Sequence, residues 1–177
     1  MVPEQREPVM EVNASPGPAK SDVTEVKIER LDWDQTQAIL AAHPGKIVVL
    51  DLWATYCPPC RKELPGLVAL QAQYPDQVVC VTVSLDYEGD QAFTVDMAEA
   101  EILPVLAGVG AGTLRNVLLT TPATEIYAKL KLPSIPAVYV YGPNGQLAAE
   151  FPDRQVTADV SYAESVTPFV KKLVTGQ

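Results

Sequence analysis

Cysteine and histidine are scarce in this chain of 177 residues, which has three Cys and one His. Three cysteines are too few for a framework of structural disulfides. A tetrahedral zinc site needs four ligands, and neither Cys80 nor His43 is spaced as a second ligand pair beside Cys57 and Cys60. A copper carrier would likewise recruit further Cys, Met or His ligands. We therefore predict no metal and no other cofactor, and a close cysteine pair that is reactive.

Positive charge is also in short supply, with 13 Lys and Arg against 22 Asp and Glu and a formal net charge of −9. Such a surface repels phosphate backbones and anionic lipid, so we expect no nucleic-acid partner. No segment approaches the roughly 18 apolar residues of a membrane span. The best candidate, residues 102–114, is short and contains Pro104. The N-terminus shows no basic segment followed by an apolar core, which is the pattern of a secretory signal.

Large apolar residues are nearly absent from the first 22 residues, where prolines alternate with Glu and Ser. This composition predicts a flexible leader or tether over residues 1–22. The remaining residues, 23–177, are enough for one well-buried core, and we predict that they form a single domain.

Apolar strand-like runs alternate with helix-like segments along that domain. The predicted strands cover residues 23–30, 47–53, 78–84, 116–120, 137–141 and 147–151. The predicted helices run from Asp32 or Asp34 to His43, from the cysteine pair to Tyr74, and over residues 92–106, 123–132 and 161–174. A polar turn is predicted at residues 86–90. This order predicts an α/β sandwich, in which helices flank a mixed central sheet.

The tetrad of Cys57, Pro58, Pro59 and Cys60 lies where the apolar strand ending at Trp53 gives way to a helix. Unpaired N–H groups and the helix dipole at a helix N-terminus favour a thiolate. Cys57 at the N-cap is therefore predicted to attack, and Cys60, one turn further in, to resolve the mixed disulfide. Neither proline has an N–H group, so we expect a less acidic Cys57 than a non-proline dipeptide would give.

Asp51 and Glu63 are candidate acids beside the cysteines. Asp51 interrupts an apolar strand, and a buried carboxyl group there tends to keep its proton and could exchange it with Cys60. The alternative is an Asp that is hydrogen-bonded to nearby backbone. Glu63 follows Cys60 by one helical turn and either faces the same pocket or is solvated. Cys80 lies in a buried strand, where a free thiol is usually an inert small hydrophobe.

Ile135 and Pro136 directly precede a predicted central strand, and a proline in that position needs a reason. A cis Ile135–Pro136 bond is one reason, since it would bring the loop beside the cysteines. The Ile135 backbone groups would then be free to pair with an incoming peptide.

Residues 48–65, which read VVLDLWATYCPPCRKELP, together with Pro136 and the turn at residues 142–145, resemble the thioredoxin superfamily. More narrowly, they resemble the extracytoplasmic thiol–disulfide oxidoreductases of the TlpA and ResA type. The resemblance implies a thioredoxin-like three-layer sandwich, with Cys57 as nucleophile and Cys60 as resolving thiol. It places a cis Pro136 in the substrate groove and Trp53 under the active site, and gives Glu63 a role in tuning the cysteines. Asp51 matches the buried acid of thioredoxins proper, whereas Asn is frequent there in TlpA-like proteins.

We therefore predict a thiol–disulfide oxidoreductase that exchanges a dithiol and a disulfide with protein substrates. Catalysis is assigned to the cysteine pair, Asp51 and Glu63, and substrate binding is assigned to Trp53, Pro58, Pro59, Ile135 and Pro136. We expect a monomeric reductant in an extracytoplasmic compartment, such as the bacterial periplasm or the outer face of the cytoplasmic membrane. Cytochrome c maturation is one pathway that the resemblance implies. The electron donor is unidentified, and any membrane tether would lie outside the chain.

Two other functions remain open on the sequence alone. One is a redox-sensing or binding module without catalysis, in which the disulfide sets a conformation that a partner recognises. The other is peroxide reduction on the same fold. The peroxidatic pattern places a Thr and a Pro ahead of the reactive cysteine, whereas here Thr55 lies only two residues ahead of Cys57, and the nearest upstream proline, Pro44, precedes the strand.

Overall fold

The computed structural model describes residues 24–153 and 159–176. The predicted leader, residues 1–22, lies outside these ranges, and the domain limits of 23–177 remain a prediction. The strands are β1 (Ile28–Leu31), β2 (Ile47–Trp53), β3 (Val78–Ser84), β4 (Arg115–Leu119), β5 (Ala137–Tyr141) and β6 (Leu147–Phe151). The helices are α1 (Trp33–Ala42), α2 (Pro58–Gln73), α3 (Val95–Gly108), α4 (Ala123–Leu130) and α5 (Thr167–Thr175). A 3₁₀ turn (Ala111–Thr113) precedes β4, and a π-helical turn (Tyr162–Val166) precedes α5.

The strands form one mixed sheet in the order β1-β4-β3-β2-β5-β6. Strand β2 runs parallel to β3 on one side and antiparallel to β5 on the other. All seven residues of β2 are buried, as expected for a central strand that is covered on both faces. The predicted mixed α/β sandwich is therefore confirmed.

Side chains of β2 alternate between two apolar layers, as the pleat of a strand requires. Ile47, Val49 and Trp53 join the layer that contains the buried faces of α2, α3 and α5. Val48, Leu50 and Leu52 join the opposite layer, which contains α1 and α4. Both cysteines of the tetrad belong to the first layer. Asp51 lies on the face of β2 that points to this layer, together with Ile47, Val49 and Trp53.

Several predicted boundaries differ from the structure. Strand β1 begins at Ile28, and residues 24–27 are not paired in the sheet. Helix α3 begins at Val95 instead of residue 92, because the Thr94 side chain accepts a hydrogen bond from the Met97 N–H and caps it. Helix α4 ends at Leu130, two residues early. Helix α2 continues through Pro65 to Gln73.

The glycine-rich segment after α3 makes a tight connection to β4. Gly110 has φ of +72°, the left-handed conformation that glycine adopts at little cost. Gly112 lies directly against the backbone of Thr24, where a Cβ atom would collide with the carbonyl group.

No helix in the described residues is both long and apolar enough to cross a membrane.

Candidate active site

Cys57 and Cys60 lie at the first turn of α2, just after the carboxyl end of β2. Cys57 is the N-cap, with φ of −105° and ψ of 96°, and Pro58 opens the helix. The two sulfur atoms form a disulfide with an S–S distance of 2.06 Å. Cys57 keeps 6% of its surface exposed and Cys60 keeps 1%. This difference favours Cys57 as the sulfur that a partner can reach.

One backbone donor remains for Cys57 despite the two prolines. The Cys60 N–H group lies 3.3 Å from the Cys57 Sγ and points to it. An N–H group at this position of the helix can stabilise a Cys57 thiolate after reduction. Pro58 and Pro59 occupy the first two helical positions, where their missing N–H groups cost no helical hydrogen bond.

The loop between β2 and the tetrad is anchored by Asp86. Its Oδ1 accepts a 3.0 Å hydrogen bond from the Thr55 N–H and another from the Thr55 hydroxyl, while Oδ2 accepts from the Ser84 hydroxyl at 2.6 Å. Asp86 lies in the connection after β3, where a polar turn was predicted, but its side chain is buried. Asp86 follows β3 by two residues, and the ends of β2 and β3 are adjacent, because Trp53 pairs with Ser84. Because β2 and β3 are consecutive predicted strands, the expected adjacency of their ends is the signal that could have placed Asp86 near the tetrad.

Asp51 is 2% exposed, and its Oδ2 accepts a 2.6 Å hydrogen bond from the Tyr162 hydroxyl. Among the described residues its Oδ1 has no hydrogen-bond partner. Burial raises the pKa of the Asp51 carboxyl to about 7, although the Tyr162 hydrogen bond opposes the rise. The alternative of an Asp bonded only to nearby backbone is therefore wrong, since its bond goes to a side chain 111 residues away.

Glu63 also contacts Tyr162, and its Oε2 accepts a 2.9 Å hydrogen bond from the Tyr162 backbone N–H. The Glu63 side chain is half-buried, so the alternative of a fully solvated residue is wrong. Tyr162 was not among the predicted site residues, yet it joins both predicted acids. Its position in the last predicted helix gave no sign of this contact.

Trp53 is fully buried in the layer that contains both cysteines, so it cannot make the direct contact with a substrate that was predicted from the sequence. Cys80 is likewise fully buried, and burial raises the pKa of its thiol above the ordinary range. A thiol of this kind is a poor nucleophile, which agrees with the prediction of an inert residue.

Within the described part of the chain, no group of three or more His, Cys, Asp or Glu residues is placed to hold a metal ion.

The loop before β5 reaches the disulfide. The Ile135–Pro136 peptide bond is cis, as predicted, and the Ile135 carbonyl oxygen lies 3.7 Å from the Cys57 Sγ. A groove of about 460 Å³ extends from this point and is lined by Pro59, Ile135 and Pro136 on the side of the tetrad. Phe151 and Val160 contribute to its other side. The structure therefore brings three of the predicted substrate-binding residues to one groove beside the disulfide. Pro58 lines a separate cleft on the other side of the α2 N-terminus.

Residues 45–147 match the model of a family described as thioredoxin-like. The chain belongs to the thioredoxin-like family. The match covers β2, the tetrad and the cis-proline loop, but it ends before the C-terminal turn that contains Tyr162.

Curated relatives of this thioredoxin-like chain align with short parts of it. The thioredoxin-like protein YneN of Bacillus subtilis is 48% identical over 40 residues, which are 23% of this chain and 24% of that protein. The thiol–disulfide oxidoreductase ResA of Oceanobacillus iheyensis is 44% identical over 54 residues, or 30% of this chain and 28% of that protein. The chain thus matches less than a third of either relative's length.

Solved structures share the thioredoxin-like fold over a larger part of the chain. A secreted disulfide oxidoreductase of Mycobacterium tuberculosis, described as homologous to Escherichia coli DsbE, has a TM-score of 0.54 and 22% identity, and the match covers 74% of this chain and 85% of that chain. M. tuberculosis DsbF, in mixed oxidised and reduced forms, also has a TM-score of 0.54, with 23% identity over 75% of this chain and 84% of that chain. At these identities the likeness shows the fold alone.

Proposed function

We propose that the protein is a thiol–disulfide oxidoreductase that exchanges electrons with protein substrates through Cys57 and Cys60. The observation that carries this proposal is the Cys57–Cys60 disulfide at the N-terminus of α2, with the Cys57 sulfur 3.7 Å from the cis-proline loop. The family and the relatives named as oxidoreductases support the same chemistry.

In the reductive direction, the Cys57 thiolate attacks one sulfur of a substrate disulfide. A mixed disulfide forms, and the other substrate sulfur leaves as a thiolate. The Cys60 thiolate then attacks the Cys57 Sγ, which closes the Cys57–Cys60 disulfide and releases the second substrate thiolate. Two electrons have passed to the substrate, and an external dithiol donor must reduce the pair again.

Asp51 is proposed to accept the Cys60 proton, because the resolving thiol is buried away from solvent bases. An acid with a pKa of about 7 can both take and return a proton near neutral pH. Glu63 is proposed to tune the same step, since its charge raises the pKa of Asp51 and its carboxylate holds Tyr162.

The substrate peptide is proposed to lie in the groove at Ile135 and Pro136. An extended peptide there can pair with the Ile135 backbone while its cysteine approaches the Cys57 Sγ. Pro58 and Pro59 would contact the segment around the substrate cysteine, and Trp53 would support the tetrad from below.

The biological setting is also part of the proposal. We assign the protein to an extracytoplasmic compartment as a reductant, with cytochrome c maturation as one pathway and an unidentified electron donor. One structural neighbour is described as secreted, and the curated relatives include ResA, which supports this setting. We further propose that the protein is a monomer and that residues 23–177 form one domain. Residues 1–22 are proposed to act as a tether, and any membrane anchor would lie outside the chain.

Catalysed reduction of insulin disulfides by dithiothreitol tests the activity. The wild-type protein should accelerate the reaction, whereas Cys57→Ser and Cys60→Ser should return it to the uncatalysed rate because either change breaks the cycle. Cys80→Ala is the matched control and should keep the activity, since Cys80 is buried and apart from the disulfide. If the protein is a reductant, its dithiol form should reduce insulin faster than its disulfide form oxidises a reduced dithiol peptide.

No acceleration by the wild-type protein would contradict the proposed activity. If the disulfide were nevertheless reducible and a partner bound one redox state tightly, the sensing module would be favoured. Rapid consumption of peroxide with no insulin reduction would favour the peroxidase.

A further inference from the structure

The Asp51 carboxyl group has a dedicated partner in Tyr162, a residue with no assigned role. We propose that Tyr162 is a positioning residue that holds Asp51 in its ionised, proton-accepting form and thereby sets the pH range in which Cys60 is deprotonated. The contact itself stands on geometry, whereas its effect on exchange rests on the function proposed above.

Tyr162 makes two hydrogen bonds that join elements far apart in the sequence. Its hydroxyl donates to the Asp51 Oδ2 at 2.6 Å, and its backbone N–H donates to the Glu63 Oε2 at 2.9 Å. The side chain is 2% exposed, so water competes little for the hydroxyl. A hydrogen bond to a buried carboxylate is stronger than one between neutral groups and favours the ionised form.

The fold fixes the Tyr162 ring by close packing. Tyr162 begins the π-helical turn that precedes α5, and Ser161 caps this turn by accepting a hydrogen bond from the Glu164 N–H at 3.3 Å. The ring lies against Gly66 of α2, where a Cβ atom would come within 2.7 Å of the Tyr162 Cγ. Glycine at residue 66 therefore leaves the space that the tyrosine needs to reach Asp51. Turns of the π type inside helices are rare and often occur at functional sites.

The other titratable groups around Asp51 do not replace this contact. Glu63 on α2 is acidic and disfavours a second negative charge, and Cys80 on β3 is a neutral buried thiol. None of the ion pairs among the described residues includes Asp51. Burial keeps the pKa of Tyr162 well above its usual value, so the hydroxyl stays protonated as a donor while Asp51 takes up or gives back the cysteine proton. The tyrosine proton itself does not move in the proposed step.

Tyr162→Phe removes the hydroxyl and keeps the ring against Gly66 and the backbone N–H to Glu63. Tyr141→Phe is the matched control, because Tyr141 packs on the opposite face of the sheet. The pKa of Asp51 is measured by carboxyl ¹³C NMR in the reduced and oxidised proteins. The exchange rate with insulin is then measured from pH 5 to 9.

We expect Tyr162→Phe to raise the pKa of Asp51 by about one unit or more, as the loss of a hydrogen bond to a charged group predicts. The acid limb of the pH–rate profile should move upward by the same amount, with the rate recovering at high pH. The Tyr141→Phe protein should match the wild type in both measurements.

An unchanged or lower Asp51 pKa in Tyr162→Phe would overturn the inference. So would a rate that falls equally at every pH, because that is the result of a purely structural role. A shifted titration in a protein that shows no exchange at all would support the hold of Tyr162 on Asp51 and overturn the proposed function instead.

Discussion

At the scale of single residues, a carboxyl group inside an apolar strand costs free energy when it is ionised. Asp51 has one oxygen bonded to Tyr162 and the other without a partner among the described residues. Its pKa is raised from 3.8 to about 7, chiefly by burial. The folded protein therefore holds a proton between these two pH values that the unfolded chain has lost.

This difference predicts how Asp51→Asn changes stability with pH. The contribution of Asp51 to stability is fully present below about pH 4 and is lost as the pH rises through about 7. Asparagine does not titrate, so the free energy of unfolding of Asp51→Asn relative to wild type should rise by about 4 kcal/mol between pH 4 and pH 8. Urea unfolding of the oxidised proteins at a series of pH values measures it.

Asp76→Asn, which removes an exposed carboxylate, is the matched control for the loss of one charge. A difference between Asp51→Asn and wild type that stays flat from pH 4 to pH 8 would show that Asp51 is not a buried acid of raised pKa.

The sequence identified those site residues whose local pattern is unusual. Two cysteines at a strand-to-helix junction and one Asp in an apolar strand can be recognised from their neighbours alone. Tyr162 cannot, because its contact with Asp51 depends on how the C-terminal turn packs over α2. Asp86 looked like a turn residue because its neighbours on the C-terminal side are polar, and only the adjacency of two strand ends places it inside.

At the scale of elements, the site depends on how closely the C-terminal turn approaches α2. The contact is centred on Gly66, which faces the ring of Tyr162. An exposed helical glycine usually costs stability relative to alanine by about 1 kcal/mol. At residue 66 the gain in stability expected from alanine is opposed, because its Cβ atom would collide with the buried ring of Tyr162.

Gly66→Ala should therefore lower the free energy of unfolding by about 1–3 kcal/mol, the usual range for overpacking a core. Gly108→Ala is the matched control, because Gly108 ends α3 and a Cβ there meets nothing within 4 Å. That variant should be neutral or slightly stabilising. Urea unfolding of both proteins measures the difference, and equal effects of the two substitutions would argue against a tight Gly66–Tyr162 contact.

The sequence predicts the bounds of an element well where its apolar residues follow a clear pattern. Strands β2 and β3 have the predicted bounds, because each apolar and β-branched run begins directly after a polar residue, Lys46 before β2 and Gln77 before β3. The last helix is predicted to begin at residue 161, whereas the structure has a π-helical turn over Tyr162–Val166 and begins α5 at Thr167. A turn of this type has no simple sequence period, since its geometry follows from what it packs against.

At the scale of the whole molecule, the fold gathers the site from four separated parts of the chain. Strand β2 supplies Asp51, α2 supplies the cysteines, the loop before β5 supplies the cis proline, and the C-terminal turn supplies Tyr162. The sequence resemblance predicted the first three because they lie in the segments that carry it. That the chain has no nucleic-acid partner remains a prediction, and it rests on the net charge of −9.

Cys57 is proposed to attack the substrate disulfide and Cys60 to resolve the mixed disulfide. Trapping the mixed disulfide with insulin, and locating it by mass spectrometry in Cys60→Ser and Cys57→Ser, tests these two roles. We predict that Cys60→Ser accumulates a mixed disulfide at Cys57, and that Cys57→Ser accumulates little, because Cys60 is almost inaccessible. A mixed disulfide formed mainly through Cys60, or none in either variant, would show that Cys57 is not the attacking cysteine.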